Sequence, residues 1–339
     1  YSDYPNSIVA PDALWFVFWN YYKNKDFKNA LKISKMHSKV YFDYNIQPKI
    51  LFWTAKIYIK ANNKKAAKSL LQNIVYNYPA SYYAFRANAI LKKNKAPWKA
   101  DKAAKIKKNI KAENIPISQD KKEYWLLSKF AILDDYVAIQ NFKFDDDFLN
   151  SWLAAKNGNR MHSALLAREA LLKNTKEPFS SPKYKLAYPL YYDKAINKYA
   201  THYNLSPYLI LSLIKEESAF NNKAISSVGA MGLMQLMPPT ARLMDSSLTN
   251  NEALFDAEYN ISLGTKYFAH LMKIFNGNEA LCVLAYNSGP NAVKNWLNKS
   301  KNNDFDEFVE NVPYSETANY IKKVYASYWS YMNIYEKGI

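Results

Sequence analysis

Residues 206–241 read SPYLILSLIKEESAFNNKAISSVGAMGLMQLMPPTA, and two adjacent glutamates, Glu216 and Glu217, close its apolar run. A carboxyl group moves protons usefully only when its surroundings tune its pKa toward the working pH. Ser206 and Pro207 form a helix-start pair, serine at the N-cap and proline in the first turn, which predicts a helix running to about Phe220. At about 100° per residue, Ser212, Lys215 and Glu216 share a polar face, predicted to be solvated. Glu217 projects instead with Ile210, Leu213 and Ile214. Desolvation there disfavours the charged form and keeps the proton on near neutral pH, as a general acid requires. A glutamate so placed also serves as the buried partner of a cation, or turns to solvent at the helix end. The helix alone leaves all three readings open.

The segment that must face this carboxyl is SSVGAMGLMQLMPPTA. Gly229 and Gly232 permit tight turns and close backbone approach. Residues 233–237 are predicted as a short extended piece, which Pro238-Pro239 stops before Thr240 leads into another helix. A carboxyl at a helix end, facing a small loop backed by helices, is the geometry of a glycoside-cleaving cleft. Hydrolases in such clefts generally use two carboxyl groups, and the motif offers no obvious second one.

The elements around this centre divide the chain. Residues 1–157 contain no glycine, and five of the seven glycines fall within 229–289. A long glycine-free segment disfavours hairpin turns with positive φ and suits stacked helices. Residues 13–34 read as an aromatic-rich helix, a polar turn and a second amphipathic helix; residues 48–79 repeat that plan. Aligning Ala30 with Ala67 places Tyr21 over Tyr58, a period of 37 residues, near that of helix-pair solenoids. Residues 78–93 begin a third pair, 94–118 read as a basic polar connection, and 124–140, 145–157 and 161–174 read as three more helices. The cluster Pro178, Pro182 and Pro189 marks the best domain boundary.

Composition narrows the function classes. No apolar run reaches the roughly 20 residues of a membrane span, so the chain reads as a soluble globular protein. Cys282 is the single cysteine and excludes an internal disulfide. His37, His162, His202 and His270 lie far apart and form no metal-ligand spacing. The net charge of +17 suits an anionic partner such as nucleic acid, phospholipid or a cell-wall polymer, but the lysines are spread along the chain, as on a solvated basic surface.

Three ordered motifs carry a resemblance. ESAFNNKAISSVGAMGLMQLMPPTA (217–241) resembles the signature of the soluble lytic transglycosylases, usually E-S-x-[FW]-N-P-x-x-x-S-x-V-G-A-x-G-L-M-Q-[LI]-M-P-x-T-A. AYNSGPNAV (285–293) resembles that family's A-Y-N-A-G-P-x-x-V, and VPYSETANYI (312–321) its I-P-[FY]-x-E-T-x-x-Y. LAYPLYYDKAINKYA (186–200) resembles the entry to the same domain, so the likeness covers about 186–339. The helical half resembles the ring-shaped helical domain of the large members. Asn222 stands where proline is common, Met231 where serine is frequent and Pro239 where glycine is.

The resemblance implies a mainly α chain: an α-superhelical, solenoid-like N-terminal region (1–110, short of the family's upstream helices), a helical linker domain (111–185) and a goose-lysozyme-like α+β catalytic domain (186–339). It implies cleavage of the MurNAc-β-1,4-GlcNAc bond of peptidoglycan with formation of 1,6-anhydro-MurNAc ends. Glu217 is then the single catalytic acid/base. Ser226, Gln235, Met237, Tyr286, Asn287, Glu316 and Tyr320 match substrate-binding positions. No cofactor or metal is implied, nor any nucleic-acid partner. The implied partners are glycan strands and cell-wall enzymes reached through the helices, and the implied location is the periplasm. A goose-type muramidase, or a helical scaffold with an inactive sugar-binding domain, are the competing readings.

Overall fold

The computed structural model describes residue 7 and residues 9–40, 46–94, 98–100, 102, 105–106, 143–173, 177–300 and 304–337. They fall into two compact units, 1–97 and 98–339. In the first, α1 (Ala10–Lys23) pairs with α2 (Phe27–Val40), and α3 (Gln47–Lys60) with α4 (Lys64–Asn77). Both starts and both ends repeat at an offset of 37 residues, the period expected from the sequence. α5 (Tyr82–Leu91) packs on α4 and α3. Between neighbours the aromatics interlock: Trp53 meets Trp19 edge-on at 4.7 Å and Tyr22 at 5.0 Å.

Without glycine, this unit ends its helices on lysine and asparagine. Lys25 and Asn62 adopt φ of 60° and 55° at corresponding positions. The amides that follow close on the matching carbonyls: Asp26 N–H donates to Tyr21 O at 2.9 Å and Asn63 N–H to Tyr58 O at 2.8 Å. These paired closures are Schellman caps, which turn the chain back sharply and let the next helix pack. The helix expected at 124–140 lies outside the described residues.

In the second unit, α6 (Asp147–Lys156), α7 (Arg160–Lys173) and α8 (Pro182–Ala187) pack together. There follow α9 (Asp193–His202), α10 (Pro207–Ser218), α11 (Pro238–Met244), a 3-10 turn (Asn251–Phe255) and α12 (Ala257–Ile274). α13 (Glu279–Ser288), α14 (Pro290–Lys299), α15 (Phe305–Glu310) and α16 (Ser315–Met332) complete it, α16 running into a π-helical turn, Asn333–Lys337. Among the described residues the only β structure is two isolated antiparallel bridges, Ile225–Met231 and Met231–Leu236. No described helix is long and apolar enough to cross a membrane.

α10 is the central helix. Every residue from Pro207 to Lys215 is buried, as expected of a helix apolar nearly all round. It packs on α9 and, most extensively, on α16, which also packs on α13. The predicted start is right at Pro207, but Ser206 makes no capping hydrogen bond. The helix ends two residues early, because Ala219 and Phe220 both turn left-handed, at φ of 46° and 67°.

The segment 94–118, expected as a mere connection, is in its described part a strap on this unit. Trp98 stands edge-on to Phe305 at 5.0 Å and to Tyr325 at 4.8 Å, and the Tyr325 hydroxyl donates to its carbonyl at 2.8 Å. The Ala100 amide donates to the buried Glu279 carboxylate. Ile106 bonds the Asn197 side chain through both its amide (3.0 Å) and its carbonyl (2.9 Å).

The loop after α10 is pinned from behind by Asn260 of α12, which is fully buried. Its Oδ1 accepts from Met234 N–H at 2.8 Å, and its Nδ2 donates to Met231 O at 3.0 Å and Leu254 O at 2.9 Å. Residues 232–235 therefore form a tight turn rather than the extended piece expected, closed by reciprocal Met231–Leu236 amide–carbonyl bonds of 3.0 Å. A Cβ on Gly232 would come within 2.3 Å of both Asn260 Nδ2 and Leu254 O, and one on Gly264 within 2.5 Å of Met234 Sδ. Pro238 does not stop an element but begins α11, where its missing N–H is no loss.

Asn260→Ala leaves the buried Met234 amide and the buried Leu254 carbonyl without their partner and takes one of two donors from Met231 O. It is expected to lower unfolding free energy by about 2–4 kcal/mol, read from urea denaturation. A loss under about 1 kcal/mol would mean that the loop holds itself.

Candidate active site

Glu217 lies in the last turn of α10, half-buried, where the helix meets α16. The Tyr320 hydroxyl donates to its Oε1 at 2.5 Å. Burial pushes the Glu217 carboxyl up to about 7, and the charges of Glu216 and Glu316 act in the same direction, while the Tyr320 hydrogen bond opposes them. Tyr320 and Tyr286 in turn have hydroxyls raised well above the usual tyrosine range by burial, with the Glu217 charge adding to the effect. The carboxyl thus exchanges its proton near neutral pH, between two phenols that stay protonated.

Glu216 does not sit where the helical wheel suggested. Its side chain is 7% exposed, paired with Lys215 Nζ at 2.9 Å, and Ser327 Oγ donates to it at 2.6 Å. Burial works against its charge, but Lys215, Ser327 and Arg168 together hold its carboxyl well below the usual range. Ser212, on the same face, is fully buried and spends its hydroxyl on Tyr208 O at 2.6 Å. Periodicity correctly grouped these polar residues, but the face they form packs on α16 rather than on water.

The other residues singled out in the sequence build the walls. Gln235, with φ of 47°, donates its amide to Gly232 O at 2.8 Å and Ala224 O at 3.2 Å, which clips the turn to the segment just before the Ile225 bridge. Ser226 Oγ accepts from Ala230 N–H at 2.9 Å, closing the turn that contains Gly229 (φ 87°) and leaving the hydroxyl hydrogen to donate. Met237 is exposed at the start of α11. From α13, the Tyr286 hydroxyl donates to Met234 O at 2.9 Å, so its lone pairs remain for a ligand. Asn287 Oδ1 accepts from Thr317 Oγ1 at 2.6 Å. Glu316 is exposed and bears on Glu217 through charge.

Four groups organise these, of which sequence reasoning named only Tyr320, as a substrate-binding position. Thr317, Tyr320 and Ser327 share one stripe of α16, at spacings of three and seven residues, and bind Asn287, Glu217 and Glu216 respectively. Asn260 is the fourth. A buried asparagine in the apolar stretch AEYNISLG was the available signal.

Left-handed residues other than glycine cluster here too: Ala219, Phe220 and Gln235. Each is sterically costly, and each persists because its neighbours over-determine it. Phe220 is buried and meets Tyr191 edge-on at 5.3 Å. The result is a rigid mouth around one protonatable carboxyl, suited to donating a proton to a leaving oxygen and taking one back.

Parts of the chain are similar to known proteins. The family described as the transglycosylase SLT domain matches residues 194–309. The soluble lytic murein transglycosylase of Escherichia coli K12 is 36% identical over 152 residues, covering 42% of this chain and 24% of that protein. The chain therefore spans about a quarter of the length of this curated relative. The lytic transglycosylase Slt of Pseudomonas aeruginosa has a similar fold, with a TM-score of 0.65 and 22% identity over 91% of this chain and 50% of its own. The 70-kDa soluble lytic transglycosylase of E. coli gives a TM-score of 0.64 and 23% identity over 92% and 50%. The residues that match the transglycosylase SLT domain family thus include Glu217, the loop after α10 and α13, and the chain's helical fold is similar to that of the soluble lytic transglycosylases.

Proposed function

We propose that the chain is a peptidoglycan lytic transglycosylase, cleaving between N-acetylmuramic acid and N-acetylglucosamine. The observation that carries this reading is the environment of Glu217: one half-buried carboxyl titrating at about 7 at the end of α10. Glu216, the nearest candidate for a second carboxylate, is spent on Lys215 and Ser327. In this scheme Glu217 protonates the glycosidic oxygen as the C1–O bond breaks. The resulting carboxylate takes the proton of the muramic C6 hydroxyl as that oxygen attacks C1. The product is a 1,6-anhydro end, the proton is restored to Glu217, and water takes no part. The sugar's own hydroxyl supplies the nucleophile that a second protein carboxylate would otherwise be or activate.

Supporting roles follow the geometry. Gln235 and Ser226 hold the loop that forms one wall, with Met237 exposed at its edge. Tyr286 offers its oxygen from the opposite wall, and Asn287 and Glu316 frame the mouth where α13 meets α16. Tyr320 orients the acid. The three-part division (helical region 1–110, linker 111–185, catalytic domain 186–339), a periplasmic site of action and contacts to other cell-wall enzymes through the helices complete the proposal. The paired helices and basic surface of the first unit support a role in holding an anionic polymer.

Glu217→Gln keeps the side-chain shape and removes the transferable proton. It is expected to lower glycan-strand cleavage at least about 10³-fold with binding largely retained, measured on purified sacculi. Retention of a tenth or more of the activity would move the acid elsewhere.

The products discriminate the chemistry. Muropeptides released by the native chain are expected to be lighter by one water, about 18 Da, than those from a muramidase, as mass spectrometry would show. Mainly reducing-end muramic acid would place the protein with the hydrolases.

The raised carboxyl also carries a stability cost. Glu217 moves from 4.5 to about 7 on folding, so the folded state holds the proton more tightly. Its contribution is fully favourable below pH 4.5 and is lost as pH rises through about 7. Above that pH, Glu217→Gln should be more stable than the native chain by roughly 3 kcal/mol, with the difference vanishing near pH 4. Equal stability differences at the two pH values would contradict the buried-acid geometry.

A further inference from the structure

Two adjacent carboxyls on α10 reach the same stripe of α16 with opposite consequences. Glu217 meets Tyr320, and Glu216 meets Ser327, two helical turns further along. Glu216 is an ion buried with its counter-ion: Lys215 and Glu216 side chains are 6% and 7% exposed, and Lys215 Nζ also contacts Ser327 Oγ at 3.2 Å and lies 4.8 Å above the Tyr188 ring. Such a pair generally contributes little to stability compared with apolar packing, since desolvation consumes much of its attraction. A charged cluster placed one residue from the candidate acid therefore asks for another explanation.

We propose that Glu216 is a positioning residue acting through Glu217: Lys215 and Ser327 pin its carboxylate in the α10–α16 contact, and from there its fixed negative charge keeps the proton on the neighbouring acid. The inference rests on the transglycosylase reading for its functional meaning, though not for its physics. The groups facing each carboxyl are set. Glu217 faces Tyr320 and Glu316 from α16, Tyr286 from α13, and Glu216 on its own helix. Glu216 faces Lys215 on its own helix, Ser327 from α16 and Arg168 from α7, and its charge reaches the buried hydroxyls of Tyr320 and Tyr331. Two cations and a hydroxyl donor keep Glu216 charged through the range in which Glu217 titrates. The like charge is thus permanent where it matters, and a second negative charge beside it is disfavoured.

The arrangement divides labour between two identical residue types. One carboxyl is surrendered to an ion pair so that the other holds its proton at neutral pH, when a general acid must be protonated to act. Loss of the Glu216 charge should lower the pH at which Glu217 releases its proton. The uncompensated Lys215 would push in the same direction.

The test reads Glu217 directly. The full chain is labelled with ¹³C at the glutamate side-chain carboxyl, and the Glu217 resonance is identified by its absence from Glu217→Gln. Its titration is followed by NMR in the native chain and in Glu216→Gln, whose amide keeps the shape and can still accept from Ser327. A downward shift of at least about 0.5 pH unit is expected; a smaller shift, or an upward one, overturns the inference and leaves the pair a purely structural contact. Where Glu216→Gln does not fold, the double variant Lys215→Met/Glu216→Gln removes both charges and decides by the same criterion. Glycan cleavage is assayed on the same samples. A shifted titration in a chain whose native form cleaves no glycan supports the inference and removes the transglycosylase reading. Cleavage with an unmoved titration does the reverse.

Discussion

The hydrogen bond from Tyr320 to Glu217 crosses the contact between α10 and α16, and the rest of the second unit answers to what that contact demands. A carboxyl that is to hold a proton at neutral pH must lose most of its water. It must also keep an opening to its substrate, and Glu217 remains half-buried. An apolar helix satisfies the first requirement by being buried from Pro207 to Lys215. Ending that helix abruptly satisfies the second, because two left-handed residues turn the chain away immediately after the acid.

The loop, the walls and the strap then follow as consequences. A turn packed against a half-buried acid needs its own backbone groups satisfied, since a buried amide or carbonyl without a partner is costly. Asn260 supplies three of those bonds from one side chain, and Gly232 and Gly264 supply the room for the approach. Thr317 ties the end of α13 to the start of α16, so the wall bearing Tyr286 and Asn287 moves with the helix bearing Tyr320. At the outer side of α16, Trp98 packs on Tyr325 and accepts its hydroxyl. The same helix therefore receives the strap on one part of its surface and aligns the acid on another.

Much of this was legible in the residues. The 37-residue repeat follows from the spacing of small and aromatic residues, because paired helices need a small residue where they approach and large ones between them. Glu217 stood out since a carboxyl among Ile210, Leu213 and Ile214 is a local contradiction that needs a reason. Around the acid, three local expectations do not hold. Glu216 was assigned to water, the 233–237 segment to an extended piece and Pro238 to a stop. Each error is of one kind: a local pattern says which residues share a face or break a hydrogen bond, not what lies opposite. The polar face of α10 met another helix, the loop met Asn260, and Pro238 met a helix start.

The sequence by itself determined which residue types stand at which spacing, and hence the helices, their repeat, the permissive glycines and the identity of the candidate acid. Those properties are local: propensity, periodicity and backbone sterics act within a few residues. The tertiary structure alone decided what surrounds each of the two neighbouring carboxylates, and hence that Glu216 is ionised inside a buried pair rather than in water. Glu216 and Glu217 are chemically the same group on the same helix. They differ because Lys215, Ser327 and Arg168 converge on one, while burial, a tyrosine and two like charges surround the other. Apart from Lys215 and the two glutamates themselves, those partners come from α7 and α16, between about 50 and 110 residues away along the chain. An electrostatic environment is a sum over neighbours in space, and no window along the chain contains it.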